Sequence, residues 1–226
     1  MISPLISKRL AMSVNVSASC LLFMAALQCD YTLGMNHNDH VNLLQPANLT
    51  QGGVYADFGA GSGAFTLALR ELVGLDATIY AVDKDRGALG ELENSHRARF
   101  DSTLNLILLP NDFSRPLDAS TGSAQRIPPL DGIVMANSLH FFKDKEKILK
   151  HVCSYLKRNG LLLLVEYNVD RGNLWVPHPL TFETFSTLAP KTGFTDPRLL
   201  AKVPSGFLKE FYSAVTYRMR YGENFI

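Results

Sequence analysis

Apolar positions along the 226-residue chain fall into short, nearly unbroken runs separated by longer stretches of mixed polarity. Val54–Phe58, Ala77–Val82, Leu104–Leu109, Asp131–Ala136 and Leu161–Glu166 are such runs. Rich in branched residues and lacking polar alternation, they have the pattern of strands buried on both faces of a parallel sheet. The segments between them carry helical periods over about Ser62–Val73, Asp85–Phe100, Lys143–Leu156 and Phe182–Ala189, with Gly74 and Asn159-Gly160 as stop signals. Asn36–Leu49 predicts a short amphipathic lead-in helix, broken by Pro46, that packs over the mouth of the fold. Ser114–Leu130 has no helical period and reads as a crossover that has lost its helix. Arg198–Val203 and Phe211–Arg218 alternate as strands around Pro204-Ser205-Gly206. Five strand–helix units followed by a hairpin predict an α/β fold, a doubly wound seven-stranded, mostly parallel sheet with an antiparallel C-terminal edge.

Composition narrows the partners. Lys and Arg number 22 against 21 Asp and Glu, a net charge of +1, and no basic cluster appears, which argues against nucleic acid as the main substrate. Cys20, Cys29 and Cys153 lie far apart without metal-ligand spacing, so a reducing, cytoplasmic compartment and no structural zinc are expected. Residues 1–34 stand apart from the domain at 35–226. Lys8 and Arg9 precede the apolar run Ala18–Leu27, which has the length of a signal-peptide core and is too short to span a bilayer. Three origins are open for this extension: an over-extended reading frame whose true start is Met35, an export signal, or an added helix.

The chemistry centres on Val54–Thr66, VYADFGAGSGAFT, where a buried strand ends in an acid and runs through three alternate glycines into a helix. Such a turn lets a ligand approach the backbone, with the helix N-terminus facing the same space. Gly59-Ala60-Gly61-Ser62-Gly63-Ala64 satisfies G-x-G-x-x-A, so a dinucleotide remains open at this point. Asp57 argues the other way: a carboxylate beside a pyrophosphate repels it, whereas a cationic amino-acid group gains from it. Asp83, Asp112-Phe113 and Asn137 end the next three strands on the same sheet edge. Together the four tips suit a ligand with ribose, adenine and amino acid but no phosphate, which is S-adenosylmethionine.

In the order DFGAGSG, AVDKD, NDF, DGIVMANSLHFF and LKRNGLLLLVEY, the sequence resembles a class I S-adenosylmethionine-dependent methyltransferase of small-molecule type over nearly the whole chain from Met35. The resemblance implies that Asp57, Phe58, Gly59, Ala60, Gly61 and Gly63 wrap the methionine part and ribose. It implies that Asp83, with Lys84 beside it, holds the ribose hydroxyls, that Asp112 meets the adenine amine with Phe113 at the ring, and that the strand-four exit Ala136–Leu139, with Asn137 in it, lies near the sulfonium and the acceptor. The missing helix between the third and fourth strands departs from the family pattern.

Methyl transfer to a hydroxyl or carbon acid also needs a proton removed. His140, just past strand four, is the candidate base; His178, between two prolines after strand five, is its rival, and Glu166 and Tyr167 at the tip of strand five either face the acceptor too or serve the fold alone. Glu166 and Asn168 near Asn137 make an incomplete ligand set, so no metal is expected. The acceptor is expected to be a small organic molecule bound among the lead-in helix, Phe141, Phe142 and the Trp175 loop. Two alternatives stand beside this reading: a nicotinamide-dependent oxidoreductase, whose Y-x-x-x-K pair would be Tyr80 and Lys84, and a non-catalytic S-adenosylmethionine-binding protein.

Overall fold

In the computed structural model, residues 35–117 and 127–219 are described. The extension 1–34 and part of the crossover before strand four lie outside the described residues. Strands β1 (Val54–Phe58), β2 (Thr78–Asp83), β3 (Leu106–Pro110), β4 (Leu130–Ala136) and β5 (Leu156–Tyr167) form the parallel part of one sheet. Strands β6 (Arg198–Pro204) and β7 (Glu210–Tyr217) add the antiparallel hairpin. The order is β3-β2-β1-β4-β5-β7-β6 across seven strands, the doubly wound arrangement the apolar runs predict.

The strands alternate cleanly between two cores. Ala56 and Phe58, Ile133 and Met135, and Leu162 and Leu164 face helices α4 (Lys145–Tyr155) and α5 (Phe182–Leu188). Tyr55, Val134, Leu163 and Val165 face α1 (His37–Leu44) and α2 (Ala64–Val73). Helix α3 (Arg86–Phe100) buries Leu89 and Leu92 against Ala60 and Ala81. Local chemistry sets the helix starts. Asn36 and Asp39 form a reciprocal capping box at α1, Asp85 accepts the N–H groups of Gly87 and Ala88 at α3, and Asp144 and Thr181 cap α4 and α5.

One boundary differs from the sequence reading. Strand β5 begins at Leu156, where it pairs with Leu130, rather than at Leu161; helix α4 ends at Tyr155 close to its expected end, and Asn159-Gly160 lie inside the strand instead of in a turn before it. The described parts of the crossover, Asn111–Leu117 and Ile127–Pro129, contain no helix, in line with their Ser, Pro and Gly content. What positions the site is the reversal of strand order between β1 and β4, since open sheets of this kind leave a crevice there at the carboxyl ends.

Candidate functional site

The glycine loop leaves β1 at this reversal and is pinned to β2 by the N–H groups of Gly59 and Ala60, both donating to the Val82 carbonyl. All three of its glycines have positive φ. Their surroundings divide them. A Cβ on Gly59 would lie 2.5 Å from Ser138 Cβ, and one on Gly63 would lie 2.2 Å from Leu92 Cδ1, so both are required by packing within the protein. A Cβ on Gly61 would meet nothing within 4 Å. Gly61 is therefore the point where the backbone lies open to a ligand. Its N–H donates to Asp83 Oδ2 at 2.8 Å, while Asp83 Oδ1 takes the Asp85 N–H at 2.9 Å.

Asp57 sits one layer below the loop, 1% exposed, with Thr66 Oγ1 donating to it at 2.6 Å. Burial pushes its carboxyl up to about 7, the Thr66 bond opposes this, and the charge of Asp83 adds to it. Among the described residues no cation pairs with it. Asp112 is joined to the same edge because the Asn111 N–H donates to the Asp83 carbonyl. Partial burial raises the Asp112 carboxyl, but the two hydrogen bonds from Ser114 and the charges of Lys84 and Arg115 outweigh it and hold the group below its ordinary value. Lys84 is thus exposed beside Asp112 as well as following Asp83.

The aromatic residues divide differently from the expectation. Phe58 turns its ring fully into the core, stacked on Phe113 at 5.5 Å and edge-on to Tyr155. It can offer a ligand only its backbone, because it lies on the strand face opposite Asp57. Phe113 is buried between Phe58 and Phe142 and lies near Gly59. Tyr80 is buried in the same core as Phe58, unlike a tyrosine that must reach a substrate.

Past β4, Asn137 takes a left-handed conformation, φ 51°, which asparagine tolerates better than most residues. The turn it starts is held by one carboxylate. Glu166, fully buried at the end of β5, accepts the Leu139 N–H at 2.9 Å and the His140 N–H at 3.1 Å on Oε1, and His140 Nδ1 lies 2.8 Å from Oε2. Glu166 therefore does not face an acceptor as the sequence reading allowed; it anchors the residue that can. His178 is brought to the same turn by its backbone, donating to the His140 carbonyl at 3.0 Å. Asn168 is engaged with Glu210 and with the Phe182 N–H. Ser138, part of the Ala136–Leu139 exit but not singled out from the sequence, is buried, and its Oγ and Asn137 Oδ1 have no hydrogen-bond partner among the described residues. No spacing in the sequence marks Ser138; only its contact with Gly59 does.

A doubly wound sheet with a glycine loop and three carboxylates at the strand-order reversal defines a binding fold for a nucleoside-type ligand. A methyltransferase-domain family model matches residues 33–201, and the chain belongs to that family, with the Rossmann-like class I fold. Similar solved structures include the arsenic(III) S-adenosylmethionine methyltransferase of Chlamydomonas reinhardtii, with 20% identity, 77% of this chain and 66% of that one covered, and a TM-score of 0.60. YcgJ of Bacillus subtilis has 11% identity, 81% and 100% covered, and a TM-score of 0.65. Human N-acetylserotonin methyltransferase, solved with S-adenosylmethionine, has 20% identity, 88% and 56% covered, and a TM-score of 0.59. At these identities the likeness is one of fold, and the chain spans under two thirds of the length of the first and the third. No curated protein matches it in sequence.

The cofactor of the family is S-adenosylmethionine. This site fits it on its own features. An open glycine is bonded to one carboxylate, Asp83, a second buried carboxyl, Asp57, has no cation among the described residues, and two polar atoms beside the loop are buried and unpartnered. An unpaired buried carboxylate and orphaned polar atoms destabilise a fold unless a ligand compensates them.

Proposed function

We propose that the chain transfers the methyl group of S-adenosylmethionine to a small organic acceptor at the carboxyl edge of β1 and β4. The observation that carries this reading is the open Gly61, whose N–H is tied to Asp83 while the uncompensated Asp57 carboxylate lies beneath it. Bound there, the cofactor supplies an electrophilic methyl group on a sulfonium. Asp83 accepts hydrogen bonds from the ribose hydroxyls, and Lys84 balances the charge of the neighbouring acids. Asp112 accepts from the adenine amine, Phe113 lies against the ring, and the field of Asp57 favours the ammonium. The backbone from Phe58 to Gly63 follows the ligand, and Asn137 closes the cradle from β4.

The acceptor side is lined by the turn carrying His140 and by the β5 loop. Phe141 is 46% and Trp175 39% exposed, which supports an apolar acceptor, and no helix among the described residues is long and apolar enough to cross a membrane. His140 is proposed as the base, with His178 beside it as the alternative. Titration calorimetry with S-adenosylhomocysteine tests the cofactor reading. Binding by the wild type is expected, with Asp83→Ala weakening it about tenfold to a hundredfold, the loss of hydrogen bonds to a charged group. An Asp83→Ala affinity equal to the wild type would remove that residue from the site, and no wild-type binding would overturn the reading.

A further inference from the structure

The turn Asn137–His140 presents two buried polar atoms without a partner among the described residues, Asn137 Oδ1 and Ser138 Oγ, and a histidine whose Nδ1 faces Glu166, which leaves Nε2 on the other side of the ring. One carboxylate holds the whole turn. Glu166 takes two backbone N–H groups on one oxygen and the imidazole on the other. An ionised carboxylate only accepts hydrogen bonds, so Nδ1 of His140 carries the hydrogen and Nε2 carries the lone pair. The ring is wedged against Phe141, 4.3 Å between centroids, with Tyr167 on a further side at 6.2 Å. Its tautomer and its orientation are thereby both fixed.

Resting on the function proposed above, we propose that Glu166 is a positioning residue that sets His140 as a base at Nε2, and that the acceptor it serves is a neutral hydroxyl on an aromatic ring, a phenol. The reason lies in what each acceptor requires. An amine attacks through a free lone pair and loses its proton afterwards, and a thiol ionises readily by itself. A phenol keeps its proton near neutrality and gains most from a base in place. In the balanced step the acceptor O–H bond breaks and its proton goes to Nε2. The oxygen's electron pair forms the bond to the methyl carbon, and the carbon–sulfur bond breaks with its pair left on sulfur. The imidazolium that results is stabilised by Glu166. The exposed faces of Phe141 and Trp175 give a flat apolar ring a surface to rest on.

Glu166→Gln separates this role from a merely structural one. The amide oxygen can still accept the Leu139 and His140 N–H groups and keep the turn, while its NH₂ donates to Nδ1 and turns the ring to the Nε2–H form. A wrong tautomer in an intact geometry is a known way to disable a histidine base. Three measurements are needed. Nitrogen-15 NMR of the ligand-free protein reads the His140 tautomer, expected as Nδ1–H in the wild type and Nε2–H in Glu166→Gln. Transfer of labelled methyl from S-adenosylmethionine is then followed with matched phenols, anilines and thiophenols, and calorimetry with S-adenosylhomocysteine is run on both proteins. Methylation of phenols, lowered about 10²–10⁴-fold in Glu166→Gln at unchanged S-adenosylhomocysteine affinity, supports the proposal. A wild-type ring in the Nε2–H form overturns it, as do transfer to anilines or thiophenols alone, no transfer to any phenol, and a reversed ring with no loss of rate. Failure of the wild type to bind S-adenosylhomocysteine would instead strike the cofactor reading on which the proposal rests.

Discussion

Burial raises the Asp57 carboxyl to about 7, with the Thr66 hydrogen bond pulling against it and Asp83 adding to it. In an unfolded chain an aspartate titrates near ~3.9. Between those two values the folded protein holds the extra proton, so stability falls as pH rises across the window. Asp57→Asn removes the titration. Its thermal midpoint, followed by circular dichroism from about pH 5 to about pH 8, is expected to fall less than that of the wild type, while its affinity for S-adenosylmethionine drops because the ammonium loses its counter-charge. Equal pH slopes in the two proteins would contradict the shifted carboxyl. The glycines give a second contrast. Gly63→Ala drives a methyl into Leu92 at a positive φ and is expected to cost about 1–3 kcal/mol in denaturant unfolding. Gly61→Ala meets open space and is expected to cost about 1–2 kcal/mol of backbone strain while weakening the cofactor more than Gly63→Ala does. At this scale the strand-tip acids were legible because each follows an apolar run. The facing of Phe58 and the engagement of Glu166 were not, since both depend on which partners the folded sheet brings near.

Arg70 shows what joins the elements once formed. It is buried at 1% exposure near the end of α2, and its guanidinium donates to the carbonyls of Gly74 and Ala77, before β2, and of Asn105, before β3. Its Nε donates to His96 of α3, whose other ring nitrogen lies 2.7 Å from the Ser102 carbonyl. Arg70→Met fills similar space but takes the guanidinium donors from the buried Ala77 carbonyl and from His96, while the Gly74 and Asn105 carbonyls keep backbone N–H partners, and a loss of about 2–3 kcal/mol is expected on denaturant unfolding. His96 adds a pH dependence. Burial lowers its affinity for a proton, the Ser102 carbonyl opposes this, and Arg70 adds to it. The unfolded chain therefore binds the extra proton once pH falls below ~6.5, and stability declines as pH falls from there. His96→Gln should lessen that acid-side decline, which unfolding curves at about pH 5 and about pH 7 would measure. Most elements were legible from hydrophobic period and caps, because Asp85 at α3 and the run Val54–Phe58 carry their own local signals. The early start of β5 was not. Leu156 joins the sheet through Leu130, Arg218 bonds to the Leu156 carbonyl, and the Asn159 N–H reaches the Arg218 carbonyl, partners more than fifty residues away for two of these three contacts.

For the whole molecule, the sheet presents two ends that can be weighed against each other. The amino end holds a cavity of about 360 Å³ lined by Asn48, Gln51, Tyr55, Asp131, Lys157 and Asn159, where Lys157 is already paired with Asp131 at 2.8 Å and Asp131 holds the Val54 N–H. Its charges are satisfied within the protein. At the carboxyl end Asp57 has the Thr66 hydrogen bond but no cation, Asn137 Oδ1 and Ser138 Oγ have no partner among the described residues, and the strand order reverses there. A ligand that completes unsatisfied groups binds the folded state selectively and stabilises it by mass action. S-adenosylhomocysteine at 100 times its Kd is therefore expected to raise unfolding free energy by about 2.7 kcal/mol. Amide exchange locates the effect: protection should rise at residues 59–63, 83–85, 112–114 and 137–141, all at the carboxyl end, with residues 48–53 and 157–160 unchanged. Protection confined to the amino end would move the ligand to the opposite side of the sheet, away from His140, and leave the glycine loop as a packing device for Ser138 and Leu92.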